Sequence, residues 1–317
     1  MRAARFHTWG SAPVVDDVPE PARAAGEVLV DVQAAAAAHL DTTVASGTFG
    51  LKPALPYIGG VEGAGTVVEC DADSGLEPGC QVMLRGGGLG LRRGGTWTER
   101  VSVPAKAVTR LDAPLAPEVA ATFFVPATTA FVVLHDVARL GEDEEVIVVG
   151  AAGAVGSMVA QQARLAGAKV TGVVGRADRL ADVPDGVTGV CLDSTDDIDR
   201  LAADRPASLL VDTLGGDGLV ARTRWVRPGG RAAVIGYVTG TEVRLDLPSW
   251  LLDDVALLPV NMIRQERRAR EAAGDLVKRL SAGELRVAVQ KYAFADAALA
   301  LEDLRAGRVR GRAVLVP

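Results

Sequence analysis

Cysteine is scarce in this chain. Cys70, Cys80 and Cys191 are the only three among 317 residues, and they are scattered. Their spacing suits neither a zinc site nor a disulfide framework, which favours a reducing compartment. An excess of positive charge is also missing: the net charge of −6 argues against nucleic acid or an anionic membrane as the main partner. The N-terminus, Met1-Arg-Ala-Ala-Arg-Phe-His-Thr-Trp-Gly, lacks the apolar core of a signal peptide, and no uncharged apolar span approaches membrane length. These absences predict a soluble, cytoplasmic protein with neither a nucleic-acid nor a membrane partner.

What is present is an ordinary globular composition, 49% hydrophobic and 23% charged, on a chain long enough for two separate cores. One stretch organises it. The apolar run Val146-Ile-Val-Val meets Gly150-Ala151-Ala152-Gly153-Ala154-Val155-Gly156, and a helical pattern follows. That is a strand, a tight turn and a helix N-terminus, where unpaired N–H groups and the helix dipole favour phosphate. Gly150 allows the turn, Gly153 lets the backbone approach a pyrophosphate, and Gly156 permits close helix–sheet packing.

Residues 1–120 read mostly as β. Glu27–Ala34 and Thr96–Pro104 alternate in polarity, Glu77-Pro-Gly leads into a strand ending at Leu84, and Val61–Glu69 is a glycine-punctuated, bent strand. Short strands separated by turns suggest a small barrel or sandwich. The segment Arg85-Gly-Gly-Gly-Leu-Gly-Leu-Arg92-Arg93-Gly-Gly95 reads as a mobile surface loop, or else as a lid that brings Arg92 or Arg93 to an anionic group. Ala120–Val137 is an apolar helical stretch. Strands Glu145–Val149, Lys169–Val174, Ser208–Asp212 and Arg231–Gly236 then alternate with helical segments, which implies a parallel, doubly wound sheet. Ligands sit at the carboxyl ends of such strands, so Leu214, Gly236 and Tyr237 either line a cofactor crevice or simply pack. Gln265–Ser281 is a charged amphipathic helix with a solvated face. A strand, the helix Phe294–Arg305 and the strand Arg312–Val316 end the chain.

In NAD-binding units an acid about twenty positions past the first glycine holds the adenosine ribose. Here the second strand runs into Gly175-Arg176-Ala-Asp178-Arg179, with no acid at the strand end. Arginine suits a bidentate phosphate contact. The pattern predicts NADPH, with Arg176 and Arg179 at the 2′-phosphate; otherwise the two arginines are solvated residues at a helix start.

With these residues in view, the chain resembles the zinc-free quinone oxidoreductase (zeta-crystallin-like) branch of the medium-chain dehydrogenase/reductases. The resemblance rests on His39-Leu-Asp41, Ser46-Gly-Thr-Phe-Gly, Leu55-Pro-Tyr57-Ile-Gly-Gly-Val-Glu62-Gly-Ala-Gly65, Pro126-Ala-Thr-Thr129-Ala130, the Gly150–Gly156 turn and the C-terminal Arg308-Val-Arg-Gly-Arg312-Ala-Val-Leu. It implies an α/β protein: a GroES-like β-barrel domain built from both chain ends (residues 1–120 and 286–317) and a Rossmann domain (residues 121–285). It also implies that Thr129 lies beside the nicotinamide ribose, and that strands near Val255–Met262 pair in a homodimer. The zinc-ligand positions of the superfamily correspond to Ala38, Val61 and Val125, none of which can coordinate, so no metal is expected. Without a Lewis acid, the reaction implied is hydride delivery to a quinone or α,β-unsaturated carbonyl, which spreads the incoming charge itself. An enoyl-thioester reductase and a non-catalytic NADPH-binding protein are the alternatives. The branch's usual Asn and proline are Ala38 and His39 here, and two of its tyrosines are Thr43 and Phe49. Tyr57 and His39 therefore remain the candidate polar groups for catalysis, and Trp97 a pocket wall or core residue.

Overall fold

The computed structural model describes residues 1–317, which divide into two compact units: Met1–Phe124 with Arg286–Pro317, and Val125–Leu285. In the first unit β1 (Arg2–Phe6), β2 (Val14–Asp17) and β3 (Glu27–Ala37) lead into the short helix α1 (His39–Ala45). Then come β4 (Tyr57–Ile58), β5 (Glu62–Glu69), β6 (Gln81–Arg85), β7 (Arg100–Pro104) and β8 (Val108–Arg110). Helix α2 (Pro117–Phe131) carries the chain into the second unit and continues as a π-helical turn, Val132–Val137. That 21-residue helical run does have the length and apolarity of a membrane span, contrary to the sequence expectation, but 72% of its apolar 18-residue stretch is buried inside the protein. Burial, which the hydropathy profile does not report, makes it a core helix.

In the second unit β9 (Glu145–Val149) is followed by α3 (Ala154–Leu165), β10 (Lys169–Val174), β11 (Thr188–Cys191), α4 (Thr195–Asp204), β12 (Ala207–Asp212) and α5 (Gly218–Thr223). After these come β13 (Val226–Val234), α6 (Leu247–Asp253), β14 (Ala256–Pro259) and α7 (Glu266–Ser281). Six parallel strands stand in the order β11-β10-β9-β12-β13-β14. This is the doubly wound arrangement, with the order reversing beside β9. Strand β12 is buried at every residue and β9 at all but its first. That is why these strands are continuous apolar runs rather than alternating ones. Strand β13 starts at Val226, before the expected Arg231. Its register to β12 jumps from Ala207↔Val226 to Leu209↔Arg231, so the Arg227-Pro-Gly-Gly turn is accommodated as an irregularity within the strand.

The chain then returns to the first unit with β15 (Val289–Ala293), α8 (Ala297–Arg305) and β16 (Arg312–Val316). The seven-stranded sheet runs β15-β16-β3-β5-β6-β8, and β7 also pairs with β3, while β2-β1-β4 form a small second sheet. Trp97, Phe6, Leu84 and Leu89, all fully buried, lie in the core of this unit.

Candidate active site

The glycine turn is built as its sequence demands. Gly150 adopts φ +80°, and a Cβ there would come within 2.2 Å of Thr213 Oγ1. A Cβ on Gly156 would lie 2.2 Å from the carbonyl oxygen of Gly150, whereas one on Gly153 would meet only that same oxygen, at 3.1 Å. Gly150 and Gly156 are thus required by packing, and Gly153 is free to serve a ligand. Gly153 is the N-cap of α3 and offers no side-chain cap, so the first-turn N–H groups of that helix remain available to an anion. The backbone N–H groups of Gly150 and Ala151 donate to the Val173 carbonyl at 2.9 and 3.1 Å, which holds the turn at the end of β10. Ala151 and Ala152 are buried, and Ala154 and Val155 begin α3.

Two further loops converge on this turn. Thr213 Oγ1 donates to the Val149 carbonyl at 2.8 Å, and Asp212 Oδ1 accepts the N–H groups of Leu214 (2.9 Å) and Gly215 (2.7 Å). Arg222 Nε donates to Asp212 Oδ2 at 2.6 Å, and its Nη2 donates to the Gly215 carbonyl at 2.7 Å. Both residues are buried; this fully partnered ion pair fixes the Thr213–Gly216 turn rather than touching a ligand. Gly236 packs so closely that a Cβ would lie 2.2 Å from the Thr213 carbonyl oxygen, and Thr239 Oγ1 donates to the carbonyls of Leu214 and Gly215. Gly150, Leu214 and Gly236 therefore meet at the carboxyl ends of β9, β12 and β13, and Tyr237 stands beside them, 48% exposed.

Arg176 follows β10, exposed, its guanidinium on the Asp178 carboxylate at 3.1 and 3.3 Å. Arg179 is held more tightly: Nε donates to Asp182 at 2.7 Å and Nη2 to the carbonyl of Ala152 at 3.3 Å. One arginine thus reaches the glycine turn itself, and the other stays in solvent with an acid on its fork. Thr129 is buried on α2, and the Ala127 carbonyl of that helix accepts a 2.8 Å bond from Gln162 of α3.

In the first unit, His39 opens α1 and Tyr57 forms β4. Burial, with the nearby Arg312 charge second, lowers the His39 pKa below its ordinary range, so the imidazole is neutral at neutral pH. Burial, aided by the charge of Asp41, raises that of Tyr57. Tyr57 stacks on Phe6 and lies against Trp9, with ring centroids 5.0 and 5.5 Å away. Behind them lies a cluster that sequence reading did not single out. Glu62 and Arg312, 250 residues apart, form a buried ion pair at 2.9 Å. Asp41, also buried, accepts the Ala38 N–H at 2.8 Å and caps the start of α1. The Arg312 charge acts on Asp41 without a direct bond, and desolvation outweighs it, pushing the pKa of Asp41 up to about 7. The only sequence signal was that all three sit inside motif stretches.

The Arg85–Gly95 segment is not a mobile loop. Leu89 within it is fully buried, a Cβ on Gly95 would lie 2.0 Å from the Gly60 carbonyl oxygen, and the Gly95 N–H donates to the Ile58 carbonyl at 2.8 Å. Arg93 Nη1 pairs with Glu27 at 2.8 Å and Nη2 donates to the Ser102 carbonyl at 3.0 Å. Gly90 and Gly95 pack against the Gly59–Gly60 backbone, which itself lies against the fully buried Trp97, whose Nε1 donates to the Ala36 carbonyl at 2.8 Å.

The comparisons with known proteins agree with this architecture. Residues 24–113 match the alcohol dehydrogenase GroES-like domain, and residues 186–315 match the zinc-binding dehydrogenase family. Rat quinone oxidoreductase is 27% identical over 315 residues, 96% of this chain and 94% of that protein. An acrylyl-CoA reductase of Ruegeria pomeroyi is 27% identical over 300 residues, 92% of this chain and 90% of that protein. The chain belongs to the medium-chain dehydrogenase/reductase superfamily, in its quinone oxidoreductase branch, a superfamily of oxidoreductases. Escherichia coli quinone oxidoreductase, solved in complex with NADPH, has the same fold, with a TM-score of 0.89 at 22% identity and both chains covered completely. By contrast, this chain spans only 54 to 56% of the mammalian synaptic vesicle membrane protein VAT-1 homologs that it also matches. Ala38, Val61 and Val125 carry no metal-coordinating atom in their side chains.

Proposed function

We propose that the protein is an NADPH-dependent, zinc-independent reductase of quinones or α,β-unsaturated carbonyl compounds. The observation that carries this reading is the uncapped N-terminus of α3 behind the tightly packed Gly150–Gly156 turn, with Arg176 and Arg179 at the end of the adjacent strand. The backbone of Gly150–Gly156 would hold a pyrophosphate, Arg176 and Arg179 the 2′-phosphate, and Leu214, Gly236 and Tyr237 the crevice wall. The Arg176–Asp178 pair, about half exposed on both sides, costs little to open: such pairs contribute roughly 0–1 kcal/mol. Thr129 would orient the nicotinamide ribose. When bound, the cofactor supplies hydride. This chain's own residues then exclude water and offer hydrogen bonds: the neutral imidazole of His39 and the protonated hydroxyl of Tyr57. Neither is a strong acid at neutral pH, so the proton for the reduced acceptor comes from water.

The likeness to an acrylyl-CoA reductase over nine-tenths of both chains favours enoyl thioesters as the second reading. A panel of quinones, enones and enoyl thioesters, followed by loss of NADPH absorbance with NADH in parallel, tests both. Turnover of quinones or enones with NADPH is expected. Turnover of thioesters alone would establish the second reading, a preference for NADH would remove the 2′-phosphate assignment, and tight binding without turnover would make the protein a non-catalytic NADPH binder.

We further infer a homodimer through β14. This strand is one of the two edges of the six-stranded sheet, the other being β11, and an unpaired edge is a template for another strand. Beside it α6 buries none of its residues, leaving Leu247, Leu251 and Leu252 58%, 69% and 84% exposed.

A further inference from the structure

Arg92 and Arg93 of the Arg85–Gly95 segment, which the chemistry above does not use, line a groove that Tyr57 also borders. On the first unit this open groove of about 500 Å³ runs between Pro19 and Pro21 on one side and Pro53 and Pro56 on the other. Prolines fix their own backbone angles, so these walls are stiff. Its size is that of a site for a drug-sized ligand. Three arginines, Arg5, Arg92 and Arg93, line it, and no carboxylate does, in a chain whose net charge is −6. Arg5 is engaged by Asp16 at 3.2 Å and Arg93 by Glu27 at 2.8 Å, both acids standing outside the lining. The Arg92 side chain makes no ion pair or hydrogen bond within the chain, while its backbone N–H is held by the Gly88 carbonyl at 2.8 Å. A tightly packed loop therefore presents one uncommitted guanidinium at the edge of a stiff apolar groove.

We propose that this groove binds an amphipathic organic monoanion, an aryl or alkyl carboxylate, with its charge on Arg92 and its apolar body between the proline walls. The uncommitted Arg92 guanidinium, with no carboxylate in the lining, favours an anion over a cation. It favours an anion with hydrocarbon attached over a bare inorganic one, because the walls reward only apolar surface.

Met1 lines the groove, whereas Met83 and Met158 are buried in the cores of the two units. Methyl-13C methionine labelling of the full chain thus gives a reporter at the site and two controls for the fold. Titration with 2-naphthoate should move the Met1 methyl resonance saturably and leave Met83 and Met158 in place. The neutral 2-naphthalenemethanol should bind at least tenfold more weakly. Arg92→Ala should weaken naphthoate about tenfold or more, as loss of a charged hydrogen bond does, with the Met83 and Met158 signals unchanged. A stationary Met1 signal, equal response to acid and alcohol, or unaltered affinity in Arg92→Ala would each overturn the assignment.

Discussion

Asp41 is the residue whose state depends most on its surroundings. Its carboxyl is buried beside the Glu62–Arg312 ion pair, and desolvation raises its pKa from 3.8 to about 7. A carboxyl whose folded pKa is raised holds its proton more tightly in the folded state. The resulting stability is fully present below the ordinary carboxylate range and is lost as pH rises toward about 7. Asp41→Asn keeps an oxygen for the Ala38 N–H and cannot ionise. The wild type should therefore lose stability relative to Asp41→Asn between about pH 4 and pH 7, by at most on the order of 4 kcal/mol, and then level off. Urea denaturation of both proteins across that range checks it; a constant difference would show that Asp41 titrates normally. Nothing in the spacing of His39-Leu-Asp41 foretells this, because the shift comes from burial, which outweighs the lowering by the Ala38 N–H and the Arg312 charge, and burial is made by other parts of the chain.

At the scale of elements, the strand, turn and helix around Gly150 were legible because each signal is local. The apolar run marks a strand buried on both faces, and the glycines mark backbone approach. The geometry separates their tasks. Gly156→Ala would put a Cβ 2.2 Å from a backbone oxygen that has no freedom to move; it should cost about 1–3 kcal/mol of stability and weaken NADPH at least tenfold. Gly153→Ala, with its nearest neighbour at 3.1 Å, should leave the urea midpoint nearly unchanged and still weaken NADPH. Equal loss of stability in both, measured beside calorimetric titration, would contradict this division. The Arg85–Gly95 segment misleads for the same reason that the turn does not. Glycine-rich composition is shared by mobile loops and tightly packed ones, and only the neighbours, here Gly59 and Gly60, distinguish them.

For the whole molecule the open question of assembly sits on one edge. A six-stranded parallel sheet ends at β14, and exposed leucines flank that end. Closed two-fold pairing of this edge would cover both the strand and α6. Light scattering should give twice the mass of the 317-residue chain, and Leu251→Glu with Leu252→Glu should give monomers that keep the wild-type circular dichroism. A wild-type monomer would refute the dimer. The sequence alone marked the buried strands on either side of the glycine turn and the turn itself, because each of these is written in residue types a few positions apart. The tertiary structure alone decided the pairing of Glu62 with Arg312 and of Asp212 with Arg222, the rigidity of the arginine loop and the buried fate of α2. Each of these depends on which groups lose their water together, and solvent exclusion is a property of the packed chain rather than of any stretch of it.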